Sequence, residues 1–220
     1  MADLILVRHA QASFGAADYD VLSERGHRQS RALGEALKRH GGAPDALFRG
    51  TMRRHRETLE GIASGLGAGA EPAILPGLDE FDFRGVLDAR FGDSPPPGLH
   101  DDRKTHFRAL RETVHLWQRG EIENPPETFA AFRERVLGAV GAITSSGAET
   151  ALAVSSGGPI AFVVATVLNA PPETMVELQL QMKNCAVSRI KFTPRRRFLH
   201  TFNETPHIDA VTTDDFLTYS

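Results

Sequence analysis

Hydrophobic and polar positions follow two alternating patterns along the chain. Short apolar runs are typical of buried strands, whereas apolar residues three and four positions apart are typical of amphipathic helices. Because the two patterns alternate, we expect an α/β fold, a three-layer αβα sandwich with a mostly parallel central sheet. The predicted strands span residues 4–7, 46–49, 73–75, 151–154, 188–192 and 198–202.

Helices are predicted after several of these strands. The first begins after Ser23, a residue type that caps helix N-termini, and ends near His40. A second spans about 52–66, and a third follows the turn at 155–159 and ends near Asn169. A further amphipathic helix precedes the strand at 151–154, with Phe129, Phe132, Val136 and Val140 on one face.

The pattern changes in the middle of the chain. Three consecutive prolines, 95–97, are followed by a helical segment with Phe107 and Trp117 on one face. Long excursions between sheet elements are more often functional covers than linkers. We therefore expect a single domain over 1–220 with a cover insertion at about 81–124, whose aromatic residues form an apolar lid or pack internally.

Composition narrows the classes of function. A chain of 220 residues, 41% of them hydrophobic, can bury one sizeable core. A net charge of −3 argues against a general nucleic-acid binder, and the basic run 195–197 is interpreted as an exposed turn. The longest later apolar run, 160–168, is too short to cross a membrane, and the single cysteine, Cys185, excludes an intrachain disulfide. We expect a soluble cytoplasmic protein with no nucleic-acid or membrane partner, and its oligomeric state is left open.

The residues Arg8 and His9 stand where the first predicted strand ends. Ligands of α/β domains bind beyond the carboxyl ends of the strands. A guanidinium fork holds phosphate oxygens and an imidazole can attack phosphorus, so this pair is a candidate phosphoryl site. The alternative is that Arg8 is a surface charge and His9 a satisfied turn residue.

Further basic residues open the second predicted helix. A helix N-terminus favours anions, so an arginine there, Arg53, Arg54 or Arg56, could complete a phosphate clamp. The alternative is that these arginines are solvated. His55 falls on the apolar stripe of the helix and is interpreted as packed in the core rather than catalytic.

Two other segments carry candidate chemistry. Asp79, Glu80 and Asp82 alternate with apolar residues, and an acid flanked by aromatic rings can donate a proton near neutral pH. Alternation alone does not decide which acid points inward. After the fourth strand, the turn that contains Ser156 and Gly157 offers backbone amides that could cradle an anion.

Taken together, these segments resemble the histidine phosphatase superfamily, also called the phosphoglycerate mutase-like family. LVRHAQAS is similar to the family's Arg-His-Gly signature, with Ala10 where glycine usually stands. RRHRETLEGIA resembles the segment of the second phosphate-binding arginine and selects Arg54, and LDEFDFRG resembles the segment of the proton donor and selects Glu80. YDVLSERGHRQSRALG and FNETPH also match, so the resemblance runs from Leu4 to about His207.

The resemblance implies a mechanism. Phosphate would bind to Arg8 and Arg54, with Ser156 and Gly157 also on the phosphate, and His9 would attack to form a phosphohistidine. Glu80 would protonate the leaving oxygen, and no metal or cofactor would be needed. We expect a phosphatase that hydrolyses small phosphomonoesters.

One position departs from the family pattern, because Ser156 stands where the family carries a second histidine. Losing a preorganised donor costs about 10²–10³ in rate, which predicts slow turnover. Another histidine could supply the donor, His207 first and His106 second. The remaining alternatives are a phospholigand-binding protein with little turnover and a phosphoglycerate-type mutase.

An unrelated alternative uses the same turn. Ser155 with Glu204 and His207 could form the triad of an α/β-hydrolase, although the first glycine of the nucleophile elbow is absent. This alternative also leaves Arg8, His9 and Arg54 without a role.

Overall fold

The centre of the fold is a sheet of six strands, seen in a computed structural model that describes residues 1–13, 20–67, 69, 71–99 and 103–219, the side chains of 103 and 104 excepted. The strand order is β3-β2-β4-β1-β5-β6. The first four strands run parallel, whereas β5 is antiparallel to β1 and β6 is antiparallel to β5. This confirms the predicted α/β fold with a mostly parallel sheet. The strands are β1 (Ala2–Arg8), β2 (Ala46–Arg49), β3 (Ala73–Ile74), β4 (Thr150–Ser155), β5 (Val187–Phe192) and β6 (Arg197–Glu204).

Helices connect most of these strands. The predicted cap of the first helix is present, because the Ser23 side chain accepts a hydrogen bond from the Gly26 amide. Three short helices (α3, α7 and α8) were not predicted from the sequence, because a helix of one to three turns is too short to show a clear hydrophobic period. The helices are α1 (Glu24–Gly41), α2 (Arg53–Leu66), α3 (Phe83–Phe91), α4 (Arg103–Gln118), α5 (Phe129–Thr144), α6 (Gly157–Val167), α7 (Thr174–Leu180) and α8 (Thr213–Phe216), with a 3₁₀ helix at Pro76–Leu78.

The two faces of the sheet pack into separate hydrophobic clusters. Successive strand residues point to opposite faces, so Leu4 and Leu6 of β1 belong to one cluster and Ile5 and Val7 to the other. The first cluster includes buried residues of α5 and α6, and the second includes buried residues of α1 and α2. Both faces of the sheet are therefore covered by helices.

The segment predicted as a cover contains the whole of α3 and α4. Its aromatic residues Phe81 and Trp117 are buried, and their rings stack with centroids 4.8 Å apart. The indole nitrogen of Trp117 donates to the carbonyl of Glu127 at 2.6 Å. Of the two alternatives for these aromatics, internal packing is therefore the one observed for Phe81 and Trp117.

Parallel pairing brings three strand ends to one edge of the sheet. Arg8 at the end of β1 pairs with Ser155 at the end of β4, and Arg49 at the end of β2 pairs with Val154. Residues that follow these strands consequently meet at that edge, where ligands of α/β sheets bind.

Candidate active site

His9 follows β1 and is held by backbone groups on two sides. Its amide donates to the Ser155 carbonyl at 2.9 Å, and its Nδ1 lies 2.8 Å from the Ala10 carbonyl oxygen. Because a carbonyl only accepts, Nδ1 carries the proton in this contact. The lone pair of the neutral ring is therefore on Nε2, the nitrogen that can act as a nucleophile.

The surroundings of His9 keep the ring neutral. Burial lowers its pKa well below the usual value, and the charges of Arg54 and Arg8 lower the pKa further, with a smaller contribution from His55. The bond to the Ala10 carbonyl opposes this shift without reversing it. An uncharged imidazole has the free lone pair that nucleophilic attack requires.

The two arginines selected from the sequence lie beside this ring. Arg8 and Arg54 are both buried, and each lowers the pKa of both His9 and Glu80. Arg8 Nη1 donates to the carbonyl of Met182. Arg54 Nη1 donates to Asp20 Oδ1 at 2.7 Å, while Nη2 lies 3.5 Å from Ser156 Oγ. The positive charges of two guanidinium groups are thus felt by both His9 and Glu80, an arrangement suited to binding a phosphoryl anion between them.

Thr58 joins the two segments that carry these arginines. Its hydroxyl oxygen accepts from the Ala10 amide at 2.9 Å, and its O–H donates to the Arg54 carbonyl at 2.6 Å. The preceding residue, Glu57, accepts from the Leu22 amide at 2.8 Å. Helix α2 therefore supports the residues on both sides of the loop after β1.

Glu80 is the acid that the structure brings to this site. Its carboxylate accepts from the Gly158 amide at 3.0 Å and from the Phe81 amide at 3.2 Å. Burial raises the pKa of Glu80, against lowering contributions from the Gly158 amide and then from Arg54 and Arg8. A raised pKa retains the proton to higher pH, as a general acid requires.

The neighbouring acids have other contacts. Asp82 accepts from the Gly85 amide at 2.9 Å and caps α3. Asp79 accepts from the Thr51 amide at 2.7 Å, next to the start of α2. Alternation in the sequence left the inward acid open, and the tertiary structure separates the three by their partners.

In the turn after β4, the close packing requires glycine at position 158. A Cβ at Gly158 would lie 2.1 Å from Glu80 Oε1, and one at Gly157 would lie 3.7 Å from Arg8 Nε. Glu80 therefore reaches the first turn of α6 only because position 158 has no side chain. Gly157 lies beside Arg8, next to the predicted phosphate position.

His55 is buried as predicted, but its ring faces the site as well as the core. Its Nε2 lies 2.8 Å from Ser156 Oγ, and its ring centroid is 6.0 Å from that of His9. The interpretation as a purely core-packed residue is thus incomplete. The repeated Arg-His dipeptide, at Arg8-His9 and Arg54-His55, was the sequence signal that could have revealed it.

The two histidines named as substitutes have other partners. The ring of His207 lies against Phe216 with centroids 6.3 Å apart, and burial alone lowers its pKa to about 4, with no contribution from Arg8 or Arg54. His106 Nδ1 lies 3.1 Å from the Leu99 carbonyl oxygen. Neither prediction of a replacement histidine is supported by these contacts.

The alternative hydrolase triad is not assembled. The Ser155 hydroxyl is buried and donates to the Leu78 carbonyl at 2.6 Å, whereas His207 packs on Phe216. Glu204 is exposed at the end of β6. Ser155 therefore has a structural bond in place of a catalytic partner.

The described residues include neither a cluster of metal ligands nor a membrane-spanning helix. Within them, no three side chains of His, Cys, Asp or Glu are grouped so that they could hold a metal ion. None of the described helices combines the length and apolar character needed to span a membrane. Cys185 is buried, and burial raises the pKa of its thiol, which disfavours the reactive thiolate.

The fold and the site together define a class of protein. The profile of the histidine phosphatase superfamily (branch 1) matches residues 4–205. The chain belongs to this superfamily.

Curated sequence relatives match part of the chain. It is 30% identical over 131 residues to a 2,3-bisphosphoglycerate-dependent phosphoglycerate mutase of Mesorhizobium japonicum, covering 56% of this chain and 58% of that protein. A protein of the same name from Brucella ovis is 28% identical over 130 residues, with the same coverage. The chain thus aligns with less than two thirds of the length of these relatives.

Solved structures match nearly the whole fold. The α-ribazole phosphatase of Shigella flexneri superposes with a TM-score of 0.67 at 21% identity and covers 92% of this chain and 96% of that one. A mycobacterial glucosyl-3-phosphoglycerate phosphatase superposes with a TM-score of 0.68 at 18% identity and covers 95% and 100%. At these identities, the similarity establishes the shared fold.

Proposed function

We propose that the protein is a phosphatase that hydrolyses small phosphomonoesters through a phosphohistidine on His9. The observation that carries this proposal is the setting of the imidazole. Its proton is held on Nδ1 by the Ala10 carbonyl, its pKa is lowered by burial and two arginines, and Nε2 is left as the nucleophilic nitrogen. The two guanidinium groups that lower this pKa are the groups that would attract a phosphoryl anion.

The first half of the reaction forms the phosphoenzyme. Arg8 and Arg54 bind the phosphoryl oxygens and stabilise the charge that spreads over them in the transition state. Nε2 of His9 attacks phosphorus, a P–N bond forms, and the bond between phosphorus and the leaving oxygen breaks. The leaving oxygen takes the proton of Glu80, whose raised pKa favours the protonated form.

The second half returns the enzyme to its starting state. Water attacks phosphorus, and its proton passes to the Glu80 carboxylate as the P–N bond breaks. Inorganic phosphate then leaves. Every charge and proton in this scheme is supplied by side chains and water, so the proposal includes neither a metal nor a cofactor.

Two comparisons support phosphoryl transfer as the reaction class. The solved neighbours described above are named phosphatases, and the curated relatives are named mutases. Both kinds of enzyme move a phosphoryl group. We propose hydrolysis as the outcome for this chain, with mutase activity as the alternative that the experiment separates.

The test measures hydrolysis of p-nitrophenyl phosphate and of a panel of phosphorylated metabolites. We expect His9→Ala to lower kcat/KM at least about 10³-fold, and we expect rapid quenching of the unsubstituted protein in alkaline denaturant to trap a phosphohistidine, which is stable to base and labile to acid. His40→Ala, an exposed histidine at the end of α1, is the matched control and keeps full activity. A His9→Ala variant as active as the unsubstituted protein would refute the proposal.

The same assay distinguishes the alternatives. Conversion of 3-phosphoglycerate to its isomer in the presence of 2,3-bisphosphoglycerate, faster than phosphate release, would indicate a mutase. Binding of inorganic phosphate without hydrolysis of any substrate in the panel would indicate a phospholigand-binding protein. Activity unchanged by EDTA is expected, because the arginines supply the positive charge.

A further inference from the structure

A second histidine and a serine meet at the edge of the site, outside the mechanism described above. His55 lies in the first turn of α2 and is fully buried, and Ser156 lies at the N-cap of α6 and is fully buried as well. The distance between His55 Nε2 and Ser156 Oγ is 2.8 Å. The serine hydroxyl also lies 3.5 Å from Arg54 Nη2. The pair therefore stands beside an arginine that is proposed to bind phosphate.

The other ring nitrogen of His55 faces a carboxylate. Nδ1 lies 3.5 Å from Asp79 Oδ1, and Asp79 is itself fixed by the amide of Thr51 at 2.7 Å and by its hydroxyl at 2.5 Å. The close approach depends on Gly50. A Cβ at that position would lie 2.2 Å from Asp79 Oδ1 and 2.3 Å from His55 Nδ1. The local chain thus has the one residue type that permits this contact.

Which of the two groups donates in the hydrogen bond between His55 and Ser156 decides whether the serine can donate to a ligand. A serine hydroxyl has a single proton to donate. If Ser156 donates that proton to Nε2, none remains for a ligand. If Nε2 carries its own proton and donates to Oγ, the serine proton is free to reach a phosphoryl oxygen.

We propose that His55 and Asp79 orient the hydroxyl of Ser156 toward the phosphoryl group that binds at Arg54. The three side chains then form a relay in which the Asp79 carboxylate faces Nδ1 of a protonated ring at 3.5 Å, Nε2 donates to Ser156, and Ser156 donates to phosphate. His55 is a positioning residue, because it acts through the serine. This inference rests on the proposed function for its link to catalysis, whereas phosphate binding tests it directly.

The charges around the His55 ring are consistent with a ring that is neutral without phosphate and becomes protonated when phosphate binds. Burial lowers the pKa of His55, and Arg54 lowers it further, while Asp79 and Asp20 raise it. His9 faces the ring from the end of β1 as a neutral group. A bound phosphate would add negative charge close to the ring, which favours its protonated form.

Four variants test the relay by their affinity for inorganic phosphate, measured by titration calorimetry. His55→Leu fills the space without a donor, and Ser156→Ala removes the hydroxyl. Each is expected to weaken phosphate binding about tenfold and to lower kcat by about 10²-fold. Because both remove the same interaction, the double variant should lose no more than either single one.

His55→Gln is the decisive variant, because the Gln amide nitrogen can occupy the place of Nε2 and still donate to Ser156. We expect it to keep most of the phosphate affinity that His55→Leu loses. A purely structural role would make glutamine, a polar group in a buried position, at least as harmful as leucine. His207→Leu removes a buried histidine that packs on Phe216 and serves as the control with unchanged affinity.

Additive losses in the double variant, or a glutamine variant as weak as the leucine variant, would overturn the relay. The thermal midpoint of each variant shows that the fold is retained. The outcome is separable from the proposed function. If His9→Ala hydrolysed substrate normally, the phosphohistidine mechanism would fall, but the phosphate affinities of the His55 and Ser156 variants would still decide the relay.

Discussion

The same dipeptide, arginine followed by histidine, occurs at two places in the site with different surroundings. Arg8-His9 follows a strand, and the histidine ring is held by a backbone carbonyl. Arg54-His55 opens a helix, and its ring lies between a hydroxyl and a carboxylate. A carbonyl fixes one tautomer and leaves a lone pair, whereas a carboxylate and a hydroxyl together suit a ring that passes hydrogen bonds onward. Identical residues thus have different partners, and the roles proposed for the two histidines differ accordingly.

We expect the two arginines of these dipeptides to have the same role, phosphate binding, although the two histidines differ in theirs. Arg8→Lys and Arg54→Lys each replace a planar fork by a single ammonium, which cannot hold two phosphoryl oxygens in the same way. We expect each to lower kcat/KM for p-nitrophenyl phosphate by about 10²–10³-fold. Arg56→Lys, on the exposed face of α2, is the control and keeps normal activity. A large loss in only one of the two variants would show that a single arginine binds the phosphate.

A third buried histidine, His207, lies away from Arg8 and Arg54 and shows the effect of burial alone on a histidine pKa. The pKa of His207 is lowered to about 4 from 6.5, whereas the unfolded chain takes up the proton near the higher value. Its contribution to stability is therefore present above about pH 6.5 and is lost as the pH falls toward 4.

Urea unfolding at pH 7.5 and at pH 4.5 measures this contribution. We expect His207→Leu to reduce the loss of unfolding free energy between these pH values by about 2–3 kcal/mol. His9 and His55 also have lowered pKa values and leave a pH dependence of the same sign in the variant. An unchanged difference between the two pH values would mean that His207 titrates normally in the folded state.

Thr58 links the two dipeptides directly, since its hydroxyl bonds to the amide after His9 and to the carbonyl of Arg54. Thr58→Val keeps the shape but leaves the buried Ala10 amide without its acceptor. We expect the free energy of unfolding to fall by about 1–2 kcal/mol in urea titrations. Thr58→Ser keeps the hydroxyl and is expected to lose less. A serine variant less stable than the valine variant would assign the effect to packing instead of the hydrogen bond.

The sequence was sufficient for the fold and for part of the site. Short apolar runs alternating with helical periods predicted the mostly parallel sheet, and Ser23 marked the start of α1. The strand predicted at 73–75 is present as the edge strand β3, which is two residues long and has an exposed Ile74. Arg8 and His9 were placed at a strand end, and parallel strands bring their ends to one edge.

What the sequence determined by itself is which residues follow strands and which lie on buried stripes, because both depend on local periodicity. Only the tertiary structure decided what each buried side chain touches. His55 belongs to the apolar stripe of α2. It also lies in the first turn of that helix, beside the site, so its ring contacts Ser156. Alternation did not separate Glu80 from Asp79 and Asp82; the family resemblance selected it, and the structure supplies its partner, the distant amide of Gly158. Such partners are far away in the chain and are brought together only by the packing of α2, the 3₁₀ segment and α6 around one sheet edge.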